Sequence, residues 1–493
     1  MWENKVFEEV ELVVKRLSKK KIKRKKMILN IPDVKHYLQE LQRYFVFVPT
    51  DKASNNISIV CKKFYIEKSM KELGVFDKLS QIKDENKTYV EVDTSVSSTI
   101  KRHKKYLKSI LSSDDISEEL PFLYWIPKMH KKPYSKQRYI AASNRCSTKS
   151  LSQILTKCFK LIEKQHRIIC RRYDTSYGIN PMWIINNSTA VQSIIARFNQ
   201  NRDCRNIRTY DFSTLYTSIP HKQLKSQISL VIKQAFSSSK KSFISIYKNG
   251  ASWTDSPRKK TLSLNCRKLT NLMRWLIDNI YVTFGDKCFR QTIGIPMGTD
   301  CAPFLANLFL YSYEYRWIDK QRKSGNYHTL NFFKGCSRYI DDLLLINNND
   351  HMKKAMLDIY PEELILVPDN SDGLTTSFLD LKLIIEDNII STSIFDKRDN
   401  FDFPIVNFPT LTGNIPLKSS YGVFNGELVR YARGCTYMKD FTDRTLRLVH
   451  KLKTQYFVDK SLKRSWLKFS DSHLLLIQKY GSSILKLHNL WMS

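Results

Sequence analysis

Short apolar runs broken by polar turns begin with "YFVFVPTDKASNNISIVCKKFYI" at residues 44–66, an alternation that predicts β-strands. Longer stretches follow in which apolar residues recur every three or four positions. An example is "LSQILTKCFKLIEKQHRII" at 151–169, which predicts a helix. Residues 236–265 are rich in Ser, Lys and turn formers and read as an insertion or long hairpin within a larger domain. After about residue 415 the pattern is helical and basic, with Leu446, Val449 and Leu452 at helical spacing. No internal repeat is visible, and the mixture predicts an α+β protein. One run is unusual. In "RYIDDLLLI", Arg338 to Ile346, two aspartates interrupt a strand-like apolar pattern.

The 493 residues exceed one compact core, so two or three subdomains are expected, and an apolar fraction of 42% is enough to fold them. The formal charge of +34, from 81 Lys and Arg against 47 Asp and Glu, points to a polyanionic partner, with nucleic acid the first candidate. Residues 15–26 alone carry nine Lys or Arg in twelve positions. That density suits a nucleic-acid-binding arm or a nuclear-import signal, and equally a solvated tail. No apolar stretch approaches the ~20 residues of a membrane-spanning helix. The first residues lack the order of a signal peptide, so a soluble, intracellular protein without a membrane partner is expected. The ten cysteines show no Cys-x-x-Cys pair and no matching His spacing, so reduced thiols are expected in place of zinc or disulfides.

Two aspartates in a hairpin are common at solvated turns, but two further elements change their meaning. If "SRYI" and "LLLIN" pair as strands, Asp341 and Asp342 lie at the tight turn, where carboxylates project from a buried sheet. In "RTYDFSTLYTSIP", Asp211 ends a strand-like run, Ser213 or Thr214 can cap the next helical turn, and Tyr216 follows five residues after the aspartate. In "RQTIGIPMGTDCAPFLANLFLYSYE", Gly294 and Gly298 allow close backbone approach, Asp300 can cap a long helix, and Pro303 falls in its first turn. Nucleotidyl transfer needs charge neutralised on the entering and leaving oxygens, and two Mg²⁺ ions held by a few aspartates from different strand ends do this.

A strand ending in Asp with an aromatic five residues on, then Gly-Ile-Pro-x-Gly and a helix, then Tyr-x-Asp-Asp, is the order of a polymerase palm. The chain resembles a reverse transcriptase, with Tyr339-Ile340-Asp341-Asp342 as its Tyr-x-Asp-Asp box. Five further blocks resemble the Penelope-like retroelement reverse transcriptases, relatives of telomerase catalytic subunits. They are "VPTDKASNNISIVCKKFYI", "LYWIPKMHKKPYSKQRYIAAS", "LIDNIYVTFGDKCFRQTIGIPMGTDCAPFLANLFLYSYEY", "SFLDLKLIIEDNIISTSIFDKRDNFDFPIVNFP" and "SYGVFNGELVRYARGC". The resemblance implies a right-hand polymerase with fingers, a palm of antiparallel sheet flanked by helices, and a helical thumb. The boundaries expected are a basic arm over 1–30, fingers over 31–200, palm over 201–400 with the 236–265 insertion, and thumb with basic helices over 401–493.

The same resemblance implies roles position by position. Asp211 and Asp341 match the metal-binding pair, joined by the Phe212 carbonyl, and Asp342 matches the supporting carboxylate. Tyr216 matches the aromatic gate against ribonucleotides. Lys52 and Arg138 match the fingers residues that grip the triphosphate, and Met297 with Gly298 lies in the turn against the nucleotide. Met297 stands where many reverse transcriptases have glutamine. His130 reads as a polar surface residue. The hairpin expected to turn at Glu386 to Asn388 resembles the primer-positioning strand pair. The implied cofactor is Mg²⁺, two ions, with Mn²⁺ as a substitute. The implied partners are an RNA template, a DNA primer, their heteroduplex and dNTPs, in a nuclear protein with a cytoplasmic pool. No GIY-YIG endonuclease block is found, which fits an endonuclease-lacking member or an incomplete copy. A catalytically inactive nucleic-acid-binding scaffold and an RNA-dependent RNA polymerase remain the competing readings.

Overall fold

The computed structural model describes residues 32–75, 87–111, 116–134, 136–347, 354–355, 358–369, 372–413 and 415–481, together with residue 11. The basic run at 15–26 lies outside them. The chain divides into a small unit, residues 1–48 with 58–67, and a large one, residues 49–57 with 68–493. The small unit holds the Pro32–Tyr44 helix, which buries none of its residues, and Lys62 Nζ donates to the Gln42 carbonyl at 3.4 Å.

In chain order the strands are β1 (Phe45–Thr50), β2 (Ala53–Cys61), β3 (Tyr89–Glu91), β4 (Phe122–Pro127), β5 (Gln137–Ala142), β6 (Ile207–Phe212), β7 (Phe243–Tyr247), β8 (Gly250–Thr254) and β9 (Leu262–Leu264). There follow β10 (Tyr281–Phe284), β11 (Lys287–Gln291), β12 (Cys336–Tyr339), β13 (Asp342–Ile346), β14 (Leu366–Pro368), β15 (Thr375–Phe378), β16 (Leu381–Glu386) and β17 (Ile389–Ile394). The central sheet has the order β12-β13-β6-β14, and all its pairs are antiparallel. A second sheet, β3-β11-β10-β4-β5, carries Arg138, and β15-β16-β17 form a third.

The run Leu343-Leu344-Leu345-Ile346 is continuous, not alternating, because β13 is covered on both faces. Leu343 and Leu345 belong to one core with the helices Lys149–Tyr177, His221–Ser239, Cys266–Asp278 and Ala302–Lys323. Leu344 and Ile346 belong to another, with β16, β17 and the helices Leu417–Gly434, Met438–Thr454 and Asp459–Ser472. An antiparallel strand with one wet face would have to alternate polar and apolar residues.

Several expectations are met and others corrected. The 151–169 pattern lies inside the Lys149–Tyr177 helix. The hairpin after the central sheet turns at Asp387 and Asn388, both at positive φ, one residue within the expected span. The 236–265 segment begins as the end of the His221–Ser239 helix and continues as a three-stranded sheet, β8-β7-β9, not a single hairpin. In the Met438–Thr454 helix the buried face is Phe441, Thr445, Leu448 and Leu452, whereas Leu446 is exposed. Of the three positions read from the spacing, Leu452 is buried and Val449 packs half-buried against the same core; only Leu446 gives way to Leu448, since both satisfy an apolar pattern until packing chooses between them.

Burial on both faces has a direct test. Leu343→Ala and Leu344→Ala point to opposite sides of the sheet, and each is expected to cost about 2–5 kcal/mol in denaturant unfolding. A one-sided sheet would feel only one of them.

Candidate active site

Asp342 opens β13 directly opposite Asp211, the fifth residue of β6. Ile340 and Asp341 form the two-residue turn closed by the Tyr339–Asp342 pair. The sequence put both aspartates in the turn; only Asp341 is there, and Asp342 is the first strand residue. This register sets three carboxylates together: ligand oxygens of Asp211, Asp341 and Asp342 lie within 4.8 Å of one another. Among the described residues this is the only group of three or more such side chains placed to hold a metal ion.

The electrostatics are those of a cation site. Burial and the Asp341 charge raise the Asp211 carboxyl above its ordinary value. Burial and Asp341 likewise push the Asp342 carboxyl up to about 6. Asp211 Oδ1 is buried and accepts no hydrogen bond. Carboxylates massed without enough donors suit a hard divalent ion, which takes several oxygen ligands at once. The Phe212 ring is buried and meets Tyr360 edge-on at 5.0 Å, while its amide donates to the Asp341 carbonyl at 3.3 Å.

The turn that presents Asp341 is strained. Ile340, a β-branched residue, has φ of 56°, a conformation such residues adopt only under constraint. Beneath it lies Arg338, wholly buried, whose Nη1 donates to the Ile340 carbonyl at 2.9 Å. The guanidinium is held in turn by Glu314: Nε to Oε1 at 2.6 Å and Nη2 to Oε2 at 3.1 Å. Asn307 Oδ1 accepts from Nη1 at 2.9 Å, and the Tyr360 hydroxyl donates to Glu314 Oε1 at 2.8 Å. Sequence reasoning missed this network. Arg338 stood in the quoted motif, but nothing marked Glu314, 24 residues earlier on the Ala302–Lys323 helix, as its partner.

The Gly-Ile-Pro-Met-Gly turn is pressed between Tyr216 and β5. Ile295 N–H donates to the Tyr216 carbonyl at 2.6 Å, and Ala141 N–H to the Met297 carbonyl at 2.9 Å. A Cβ on Gly294 would collide with the Tyr216 carbonyl, and one on Gly298 with that of Ala141; both glycines have positive φ. Close backbone approach is therefore what the glycines supply. Tyr216 is half-buried, and burial and Asp341 raise its phenol above the usual range. Asp300 is not the helix cap: Cys301 holds that place, and Asp300 pairs with Lys149 at 2.9 Å.

Lys52 is exposed at the β1–β2 turn, with φ of 66°. Partial desolvation of its ammonium by the groups around it, and the nearby Arg138, lower its pKa. Arg138 pairs with the buried Asp51 at 3.3 Å. The charges of Lys131 and Lys397 also act on Asp211. Neither lysine was a candidate from the sequence: Lys131 follows His130 directly, and Lys397 lies just past the end of β17. His130 is half-buried, not a surface residue, with its ring 5.8 Å from Phe401.

Two outcomes follow from these arrangements. A carboxyl raised to about 6 in the folded state, against about 3.9 unfolded, costs stability once ionised, above about pH 6, and nothing below the unfolded value. Without divalent ions, Asp342→Asn is expected to raise the thermal midpoint at about pH 7.5, and the gain should vanish near about pH 4. Arg338→Met leaves the Glu314 carboxylate buried without its cation, held only by the Tyr360 hydroxyl, and is expected to cost about 3–5 kcal/mol in unfolding. Adding Glu314→Leu should recover most of that stability. Mn²⁺ affinity by calorimetry should stay low in the double variant, because Ile340 has still lost its donor.

No protein-family model matches the chain, and no curated protein sequence does. Among solved structures it is similar to a telomerase from Candida albicans determined with a fragment of telomeric RNA. The TM-score is 0.61 at 11% identity, covering 93% of this chain and 72% of that one. An apo telomerase from Candida tropicalis aligns less well, with a TM-score of 0.49 at 11% identity over 93% of this chain and 71% of that one. At such identity the likeness is one of fold, and it rests on the first of these. No helix among the described residues is long and apolar enough to cross a membrane. The chain has the α+β architecture of a right-hand nucleic-acid polymerase, with fingers, a palm of antiparallel sheet flanked by helices, and a helical thumb.

Proposed function

We propose that the protein is an RNA-directed DNA polymerase, a reverse transcriptase of the Penelope-like retroelement kind. It extends a DNA primer on an RNA template with dNTPs. The observation that carries this reading is the meeting of Asp211, Asp341 and Asp342 within 4.8 Å at one end of the central sheet. The five sequence blocks support the finer family assignment.

In this mechanism Asp211, Asp341 and the Phe212 carbonyl would hold two Mg²⁺ ions, with Mn²⁺ able to substitute, and Asp342 would support the pair. When bound, the ions neutralise charge on the primer 3′-hydroxyl, the triphosphate and the leaving pyrophosphate. Arg338 keeps Asp341 aimed at Asp211 by fixing the Ile340 carbonyl. Lys52 and Arg138 grip the triphosphate, a compact ammonium beside a forked guanidinium. Arg138 shares its charge with Asp51, which aims the guanidinium before nucleotide arrives. Tyr216, fixed by the Ile295 amide, closes the space a 2′-hydroxyl would need. Met297 and Gly298 present backbone to the nascent base pair. The excess of Lys and Arg binds the heteroduplex backbone, so affinity falls steeply with salt. The basic run at 15–26 supports a nuclear location.

The test is primer extension on RNA and DNA templates with dNTPs or rNTPs. Asp341→Asn removes several kcal/mol of charge stabilisation, which at 1.36 kcal/mol per tenfold is a loss of roughly 10³-fold in rate. Tyr216→Ala is expected to raise ribonucleotide incorporation while dNTP extension persists. Extension that survives Asp341→Asn would overturn the catalytic reading. A wild-type protein that binds primer-template without extending it would leave a scaffold.

A further inference from the structure

The β7–β9 sheet, within the segment singled out as an insertion, has no part in the site above. Its first turn leans on the Lys149–Tyr177 helix, and the two enclose an open groove of about 580 Å³. The helix lines it with Lys157, Lys160 and Lys164, the β7–β8 turn with Lys248 and Asn249, and the end of the glycine turn with Asp300. Lys157 Nζ donates to the Tyr247 carbonyl at 2.9 Å, which ties the hairpin to the helix. Lys160 Nζ sits 5.8 Å from the centre of the Phe304 ring, a cation–π contact. Asp300, the one carboxylate of the lining, is already neutralised by Lys149 at 2.9 Å.

Four ammonium groups thus converge on a concave surface whose single acid is occupied. Three stand at positions i, i+3 and i+7 of one helix face, where like charges repel by a few tenths of a kcal/mol per pair. An ordinary solvated face intersperses the two signs, whereas this one offers a polyanion a site. The lysines span seven residues of helix, about 10 Å at 1.5 Å per residue, more than a single phosphate covers. A drug-sized volume of this order suits a strand of one or two nucleotides. Asp300 is two residues past Gly298, so the groove begins where the glycine turn ends.

We infer that this groove binds the sugar-phosphate backbone of the unpaired template strand ahead of the active site. The inference rests on the polymerase reading, which is what makes one strand a template. The insertion is then a wall that holds incoming template beside the glycine turn, with Lys248 facing the helical lysines across it.

The test measures binding, by fluorescence anisotropy, of the full chain to labelled RNA/DNA primer-templates that are blunt or carry a 5′ template overhang of about ten nucleotides. Lys160→Gln, Lys164→Gln and Lys248→Gln are combined in one variant; all three side chains are exposed. A control carries Lys101→Gln, Lys105→Gln and Lys108→Gln, exposed lysines of the Val96–Leu111 helix, for the same charge change. Wild type should bind the overhang substrate more tightly, with a steeper salt dependence. The groove variant should lose that gain, its log–log salt slope falling by about 2 at roughly 0.7 per single-strand phosphate contact, while blunt-duplex affinity stays within about twofold. The control should keep the gain. Retention of the gain by the groove variant, equal weakening of both substrates, or equal loss in the control overturns the inference. Because binding is read without turnover, an absence of primer extension would count against the proposed activity and not against the groove.

Discussion

The guanidinium of Arg338 is closed off from water, and its attachment to Glu314 decides the shape of the site above it. A buried charge pair is no bargain in stability, because desolvating both ions offsets most of their attraction. What this pair supplies is geometry. A forked donor saturated by Glu314 and Asn307 has one hydrogen left to aim, and it aims at the Ile340 carbonyl. That bond holds a β-branched residue at positive φ and so turns Asp341 toward Asp211. The constraint is redundant, since the Arg338 amide also donates to the Trp183 carbonyl at 2.7 Å and the Ile185 amide returns to the Arg338 carbonyl at 2.9 Å.

The carboxylate cluster and the basic chain around it are two halves of one electrostatic arrangement. Burial, and then the charge of Asp341 close by, raise the proton affinity of Asp211 and Asp342. The +34 chain supplies cations close by, in Lys131 and Lys397, yet none forms an ion pair that quenches the cluster among the described residues. A polyphosphate and its divalent ions would enter a place where both signs already stand apart. The same division holds at the β1–β2 turn, where Asp51 pairs with Arg138 and Lys52 stands exposed beside it.

Much of the fold was legible in local pattern. The long helices follow from a period of 3.6, the β16–β17 turn from its turn residues, and β13 from a short unbroken apolar run. The Gly-Ile-Pro-Met-Gly turn was legible because glycine is the residue that permits backbone contact, and the collisions a Cβ would meet at Gly294 and Gly298 are the reason for it. Errors fell where two local solutions were equal. Leu446 and Leu448 both fit a helix stripe, Asp300 and Cys301 both could begin a helix, and Asp342 could end a turn or begin a strand.

The sequence by itself determined which chemical groups were present, in what order, and which stretches could become strand, helix or turn, because these depend on neighbours a few residues apart. It thereby marked Asp211, Tyr216, Asp341 and Asp342 as candidates. Only the tertiary structure decided that Asp342 faces Asp211 across a strand pair, that Glu314 reaches Arg338, and that a serine- and lysine-rich segment becomes a wall opposite Lys160 and Lys164. Those contacts join residues from 24 to 131 positions apart. Their free energy comes from burial and charge pairing between distant segments, which no local periodicity records.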